Sequence, residues 1–185
     1  AGHANKLWTF LMPFSRFFSH YSGQLYKIEG ELPRETGGAE TQALFERVVS
    51  EALQREFYGA LCNALSLCAF TAVVFSQHGR GVALDEDDLL VRTLACYGIE
   101  TSREELEWFA EAFWAQSMVL KMQFGWQPPT AASLPARVFE ALSLALDRPV
   151  PDLRALMDQL IGVWKRQAGE ILYKYGYEVP EGWHP

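Results

Sequence analysis

The chain has 185 residues, 49% of them hydrophobic and 21% charged, which is the composition of a globular protein with one or two domains and a real core. Its net charge of −7 is not offset by a basic stripe, which argues against a nucleic-acid-binding protein. No apolar stretch reaches the roughly 18 residues of a membrane span. These properties exclude nucleic acid and membrane as expected partners.

The cysteines indicate a reduced, cytoplasmic setting. There are three, Cys62, Cys68 and Cys96, an odd number in a chain too long to depend on disulfides. The opening Ala1-Gly2-His3 does not look like a natural start, and we interpret it as a tag remnant or a cut within a longer protein.

The first forty residues are rich in aromatic side chains and glycine. A helix is predicted over 6–21, followed by a long loop over 22–40. We expect residues 1–40 to continue from a missing upstream domain and residues 41–185 to form a helical C-terminal domain. Exposed aromatic side chains in the first segment would favour self-association of the fragment; these are Trp8, Phe10, Phe14 and Phe17.

Two apolar segments follow the loop. Apolar residues recur every three or four positions over 41–58, which predicts a helix. Gly59 is expected to break or kink it before the apolar run 61–75, which is typical of a buried core helix.

The next two helices carry capping signals. Asp85 is a suitable N-cap for a helix over 86–97, with Gly98 in a left-handed position at its end. Thr101 and Ser102, followed by Glu104 and Glu105, form a capping-box pattern that opens a helix reaching about Phe124. That helix is apolar nearly all round, which favours a central place in a bundle.

Two further helices complete the chain. One follows Pro135 to about Leu146, and the last begins at Pro151 or Asp152 and is closed by Gly176. No alternating strand pattern competes with them. The sequence therefore predicts an all-α fold, a multi-helix bundle whose short loops favour antiparallel neighbours.

Cys68 has two interpretations. A free cysteine in an apolar run is commonly a small buried hydrophobic residue. It is alternatively a thiolate ligand for iron, which requires several cysteines to converge. The chain has no Cys-x-x-Cys pair and no fourth cysteine, so it cannot hold a four-cysteine cluster alone.

The order of motifs from residue 55 to 183 resembles the C-terminal portion of the aldehyde:ferredoxin oxidoreductase family, enzymes that contain tungsten or molybdenum. That family has an Asp-x-x-Gly-Leu-Cys motif, matched here by Asn63 to Cys68. The further matching elements are Tyr97-Gly98-Ile99, Thr101 to Leu106, Phe124-Gly125-Trp126, Leu134 to Phe139, and Tyr175-Gly176-Tyr177 with Pro180-Glu181-Gly182.

The resemblance implies a function for a larger parent enzyme. The parent would oxidise an aldehyde to a carboxylate at a tungsten or molybdenum pterin and pass electrons through a 4Fe-4S cluster to ferredoxin. The alternative parent is a relative of this family that reduces aromatic rings. Cys68 would be one cluster ligand, Asn63 and Leu67 would contact the cofactor, and His3 would be a candidate proton donor or acceptor. No cofactor is expected in the isolated chain.

Two residues depart from the family motif. Asn63 replaces its aspartate, which keeps hydrogen bonding to a pterin but removes the charge, and Ser66 replaces its glycine. The alternative function is a non-catalytic helical module that binds a partner through aromatic faces. Neither a phosphate-binding glycine loop nor a nucleophile elbow occurs in the sequence.

Overall fold

A computed structural model of the protein describes residues 33, 37–66, 89–128 and 130–183. These residues form five α-helices and no strand, so the predicted all-α class is confirmed for them. The helices are α1 (Ala39–Ala64), α2 (Leu89–Cys96), α3 (Arg103–Gln123), α4 (Ala136–Leu146) and α5 (Val150–Lys174).

Helix α1 is longer than its sequence suggested. The expected break at Gly59 is wrong, since the helix runs through this buried glycine to Ala64. A helical glycine costs about 1 kcal/mol relative to alanine, and the burial of its neighbours Tyr58 and Ala60 outweighs that cost. The run 61–75 is not one helix either, because α1 ends within it and the chain turns at Leu65 and Ser66.

Helices α1, α3 and α5 enclose the core. Helix α1 packs against both α3 and α5, and α4 packs against α5. The second half of α1 is buried on nearly all sides. The largest side chains that are fully buried are Trp114, Trp164, Phe45, Phe139, Leu61, Leu90, Met118 and Leu153.

Helix α3 begins at the predicted capping box. The Ser102 hydroxyl accepts a hydrogen bond of 3.2 Å from the Glu105 backbone N–H. In return, the Glu105 carboxylate accepts a hydrogen bond of 2.8 Å from the Ser102 backbone N–H. Only one face of this helix is buried, although its residues are apolar nearly all round. Leu106, Ala110 and Trp114 face the core, whereas other aromatic residues of α3 remain exposed.

Removal of the cap tests this helix start. Ser102→Ala is expected to lower the free energy of unfolding by about 1 kcal/mol, because an N–H of the first turn loses its acceptor.

The hydrogen bond from the Ser102 backbone, followed by that from Thr101, holds the pKa of Glu105 below its ordinary value. The stabilisation from Glu105 is therefore present above its unfolded-state pKa and is lost as pH falls through its folded-state pKa. Urea unfolding of the wild type and of Glu105→Gln should converge at acid pH, and a difference between them that persists there would contradict this.

The end of α5 is joined to α3 by a charged contact. Lys174 Nζ donates to both carboxylate oxygens of Glu111 at 2.9 Å. This hydrogen bond raises the pKa of Lys174, although desolvation opposes the shift. Beside it the Trp108 and Tyr175 rings lie 6.2 Å apart.

The C-terminal residues fold back onto α5. Trp183 is buried and its ring contacts that of Trp164 at 5.3 Å between centroids. The backbone passes so close to Gly169 that a Cβ there would lie 2.2 Å from the Trp183 carbonyl oxygen. The tail is thus a packed part of the domain up to residue 183.

Helix α2 starts at Leu89 in the described part of the chain, and its Leu90 is buried. The proposed N-cap Asp85 and the predicted N-terminal helix over 6–21 lie outside the described residues. Within those residues, no helix combines the length and the apolar character needed to cross a bilayer.

Candidate cofactor-binding turn

The sequence places its candidate site residues around the end of α1. Asn63 lies in the last turn of this helix, and its side chain is exposed. The other three candidates, His3, Leu67 and Cys68, lie outside the described residues, as do Trp8 and its aromatic neighbours. The structure therefore describes one edge of the proposed site.

The chain leaves α1 through a left-handed residue. Ser66 has a φ of 56°. Its N–H donates to the Asn63 carbonyl at 3.0 Å, and the Leu65 N–H donates to the Leu61 carbonyl at 3.0 Å. The bond from Ser66 to Asn63 is one of the two that define the Schellman helix ending. This turn fixes the direction in which the chain continues toward residue 67.

Three other helices end in the same conformation with glycine at the left-handed position. Gly98, Gly125 and Gly176 follow α2, α3 and α5 with φ of 76°, 82° and 76°. Each N–H donates to a carbonyl three residues earlier, at 2.9 to 3.0 Å. The left-handed prediction for Gly98 is confirmed. Ser66 thus adopts a conformation for which glycine is the residue without a Cβ penalty.

This strain is measurable at Ser66. Ser66→Gly is expected to raise the free energy of unfolding by about 0.5 kcal/mol, because relief of the left-handed strain exceeds the extra chain entropy of glycine. Ser66→Ala is the matched control, since alanine keeps the Cβ and should bring no gain. Chemical denaturation of the three proteins checks this. Equal destabilisation by both changes would show that the Ser66 side chain itself stabilises the turn.

The other two cysteines lie on separate helices with different exposure. Cys62 is buried in α1, one residue before Asn63, and Cys96 is exposed at the end of α2. Within the described residues, no three His, Cys, Asp or Glu side chains are grouped to hold a metal ion. Cys62 accordingly has the environment of a packing residue.

Two buried charged residues near this site were missed by the sequence reasoning. Arg55 and Glu56 follow each other in the buried half of α1. Arg55 donates to Glu51 at 2.6 Å, and Glu56 accepts a hydrogen bond of 2.7 Å from the Trp114 indole. The usable signal was an Arg-Glu pair inside an otherwise apolar stretch, since buried charges require partners.

A cleft of about 410 Å³ opens between the end of α3 and the C-terminal tail. The Trp126 and Trp164 rings behind it are 6.3 Å apart, nearly perpendicular. Its lining mixes apolar and charged side chains, among them Met122, Trp126, Pro128, Lys165, Glu181 and Trp183.

Comparisons with protein-family models, with curated proteins and with solved structures found no match for this chain. The assignment of a function therefore depends on the residues themselves.

Proposed function

We propose that this chain is the C-terminal helical part of an enzyme of the aldehyde:ferredoxin oxidoreductase type, and that it is inactive alone. The observation that carries the proposal is the left-handed φ of 56° at Ser66. The family motif has glycine at this position, and glycine is the residue such a turn favours. A plain apolar helix through Cys68 would have no need of this turn.

The other elements of the resemblance support the proposal by their positions. Gly98, Gly125 and Gly176 each close a helix, and Pro135 immediately precedes α4. The Thr101 to Leu106 element contains the capping box of α3. These motifs lie at helix boundaries, where the backbone conformation requires particular residues. Their order therefore constrains the fold as well as the sequence.

The residues of this chain would supply some of the contacts that the implied cofactors need. Asn63 has an exposed amide that would donate a hydrogen bond to the edge of a pterin and accept another from it. Cys68 would supply one thiolate to a 4Fe-4S cluster, and Leu67 would contact the pterin. When bound, the metallopterin would supply two-electron chemistry at the aldehyde, and the cluster would pass single electrons to ferredoxin.

The proposal assigns the ligand role to Cys68 rather than to the other cysteines because the family motif ends at this residue. Cys62 is buried in the core, and Cys96 is the exposed last residue of α2. Three cysteines cannot supply four thiolates in any arrangement, so the upstream domains of the parent would provide the remaining ligands. His3 is the proposed proton donor or acceptor in the same parent enzyme.

The test uses the full product of the open reading frame that contains this sequence, purified without oxygen. We expect iron, a pterin with tungsten or molybdenum, and aldehyde-dependent reduction of ferredoxin. The isolated 185-residue chain should bind neither cofactor. A full product without iron and pterin would refute the proposal.

The alternative, a non-catalytic helical module that binds a partner, is favoured by one observation. Trp108 of α3 and Phe124, the residue that follows this helix, are 60% and 88% exposed, which is unusual for large apolar residues. A full-length product that lacks cofactors yet binds another protein through these residues would support this alternative.

A further inference from the structure

The cleft between the end of α3 and the C-terminal tail has no role in the proposed enzyme. Its volume of about 410 Å³ lies within the roughly 300–1,000 Å³ of small-molecule sites. Most of its side chains are aromatic or apolar, and these are Met122, Trp126, Pro128, Pro180 and Trp183. Such a lining suits a ligand with an apolar body.

The aromatic wall of the cleft is built into the fold. The Trp164 ring lies 6.3 Å from that of Trp126 and 5.3 Å from that of Trp183, with 83° and 69° between the planes. Trp164 and Trp183 are buried, whereas Trp126 is half-buried and keeps part of its surface open. The Trp126 backbone N–H donates to the Lys121 carbonyl at 3.0 Å, which fixes the turn that carries this ring. A flat ring can therefore pack on Trp126 without reorganising the wall.

Two opposite charges line the same cleft. Lys165 on α5 is half-buried, and Glu181 in the tail is exposed. Within the described part of the chain, neither side chain makes a hydrogen bond or an ion pair, with the other or with any third residue. A ligand with a single charge would be attracted by one of them and repelled by the other. A ligand that carries both signs is complementary to both.

We propose that this cleft binds a free aromatic amino acid. Its carboxylate would lie toward Lys165, its ammonium group toward Glu181, and its ring against Trp126. A residue inside a peptide chain carries neither main-chain charge, so the two charges of the cleft select the free molecule. The cleft includes none of the residues assigned to the proposed cofactors, and the inference does not depend on the proposed function.

A ligand series on the unaltered 185-residue chain tests the charges and the ring separately. Titrations would use L-phenylalanine, 3-phenylpropanoate without the ammonium group, 2-phenylethylamine without the carboxylate, and L-alanine without the ring. The indole N–H signals in NMR spectra report binding, with that of Trp126 assigned through Trp126→Phe. L-Phenylalanine should bind at least about tenfold more tightly than either singly charged analogue, because each analogue lacks one charge-assisted contact. L-Alanine should produce no shift.

Two variants assign the charges to their residues. Lys165→Met should weaken L-phenylalanine binding about tenfold and should not weaken 2-phenylethylamine binding, because that analogue has no carboxylate. Glu181→Gln should likewise weaken L-phenylalanine binding and spare 3-phenylpropanoate. The matched controls are Arg166→Met and Glu178→Gln, which remove the same charges from nearby positions outside the lining and should leave binding unchanged.

Three results would overturn the proposal. The first is the absence of any shift of the Trp126 signal at millimolar L-phenylalanine. The second is equal affinity for L-phenylalanine and 3-phenylpropanoate in the unaltered chain, which needs no variant to fold. The third is an equal loss of affinity in Lys165→Met and in Arg166→Met, since this would show a general effect of charge. Circular dichroism of each variant checks that its helices are intact.

Discussion

Gly169→Ala is expected to destabilise the domain by about 3 kcal/mol. The new Cβ would lie 2.2 Å from the Trp183 carbonyl oxygen and 3.1 Å from Val179 Cγ1. The first of these is a backbone atom, which cannot rotate away as a side chain can. The tail must therefore separate from α5, which exposes Trp183 and opens its contact with Trp164.

A control on the same helix distinguishes crowding from a general effect of alanine. A Cβ at Gly162 would meet nothing within 4 Å. Gly162→Ala should therefore stabilise the domain by up to about 1 kcal/mol through helix propensity. Urea unfolding followed by tryptophan fluorescence measures both. Similar stability of the two variants would show that the tail does not pack on Gly169 as described.

Trp114→Phe is expected to lower the free energy of unfolding by about 3 kcal/mol. Trp114 is fully buried, and its Nε1–H donates to the buried Glu56 carboxylate at 2.7 Å. Phenylalanine leaves a cavity and removes one donor from that carboxylate. The change weakens the contact between α1 and α3. The Phe57 ring also packs against Trp114 there, with 5.4 Å between the ring centroids.

The matched variant is Trp108→Phe, on the same helix but largely exposed. Its aromatic contact with Tyr175 survives the change, so the expected effect is below about 0.5 kcal/mol. Denaturation curves of the two variants test the difference. A small loss for Trp114→Phe would mean that the carboxylate of Glu56 does not depend on the indole.

Local signals predicted several helix boundaries. The capping box at Ser102, the left-handed Gly98 and the start of α4 after Pro135 all depend on the chemistry of a few adjacent residues. Such patterns fix backbone conformation without reference to the rest of the fold. Helix α5 begins at Val150, whereas its predicted start was Pro151 or Asp152.

Tertiary packing decided what the sequence could not predict. Gly59 sits within α1 because the surrounding side chains are buried, a property that no local pattern reports. The apolar composition of α3 favoured a central place in the bundle, yet Trp108, Phe109 and Leu120 are exposed. Hydrophobicity alone does not separate a core-facing aromatic residue from one that lies at the surface.

The candidate site stays a prediction. The family motif indicated Asn63 to Cys68, and the structure describes Asn63, Leu65 and Ser66 of it. The strained turn at Ser66 was not predicted, because serine carries no left-handed signal by itself. The clue was the glycine that the family has at that position.

The central claim is that Cys68 ligates a cluster in the full-length parent, and iron content of that protein tests it most directly. Iron per chain should fall in Cys68→Ser, since a hydroxyl oxygen is a poor ligand for iron that prefers thiolate. Circular dichroism should show an unchanged helical fold. Cys62→Ser should keep the iron, because Cys62 is buried in α1. Normal iron and normal ferredoxin reduction in Cys68→Ser would show that Cys68 is a packing residue.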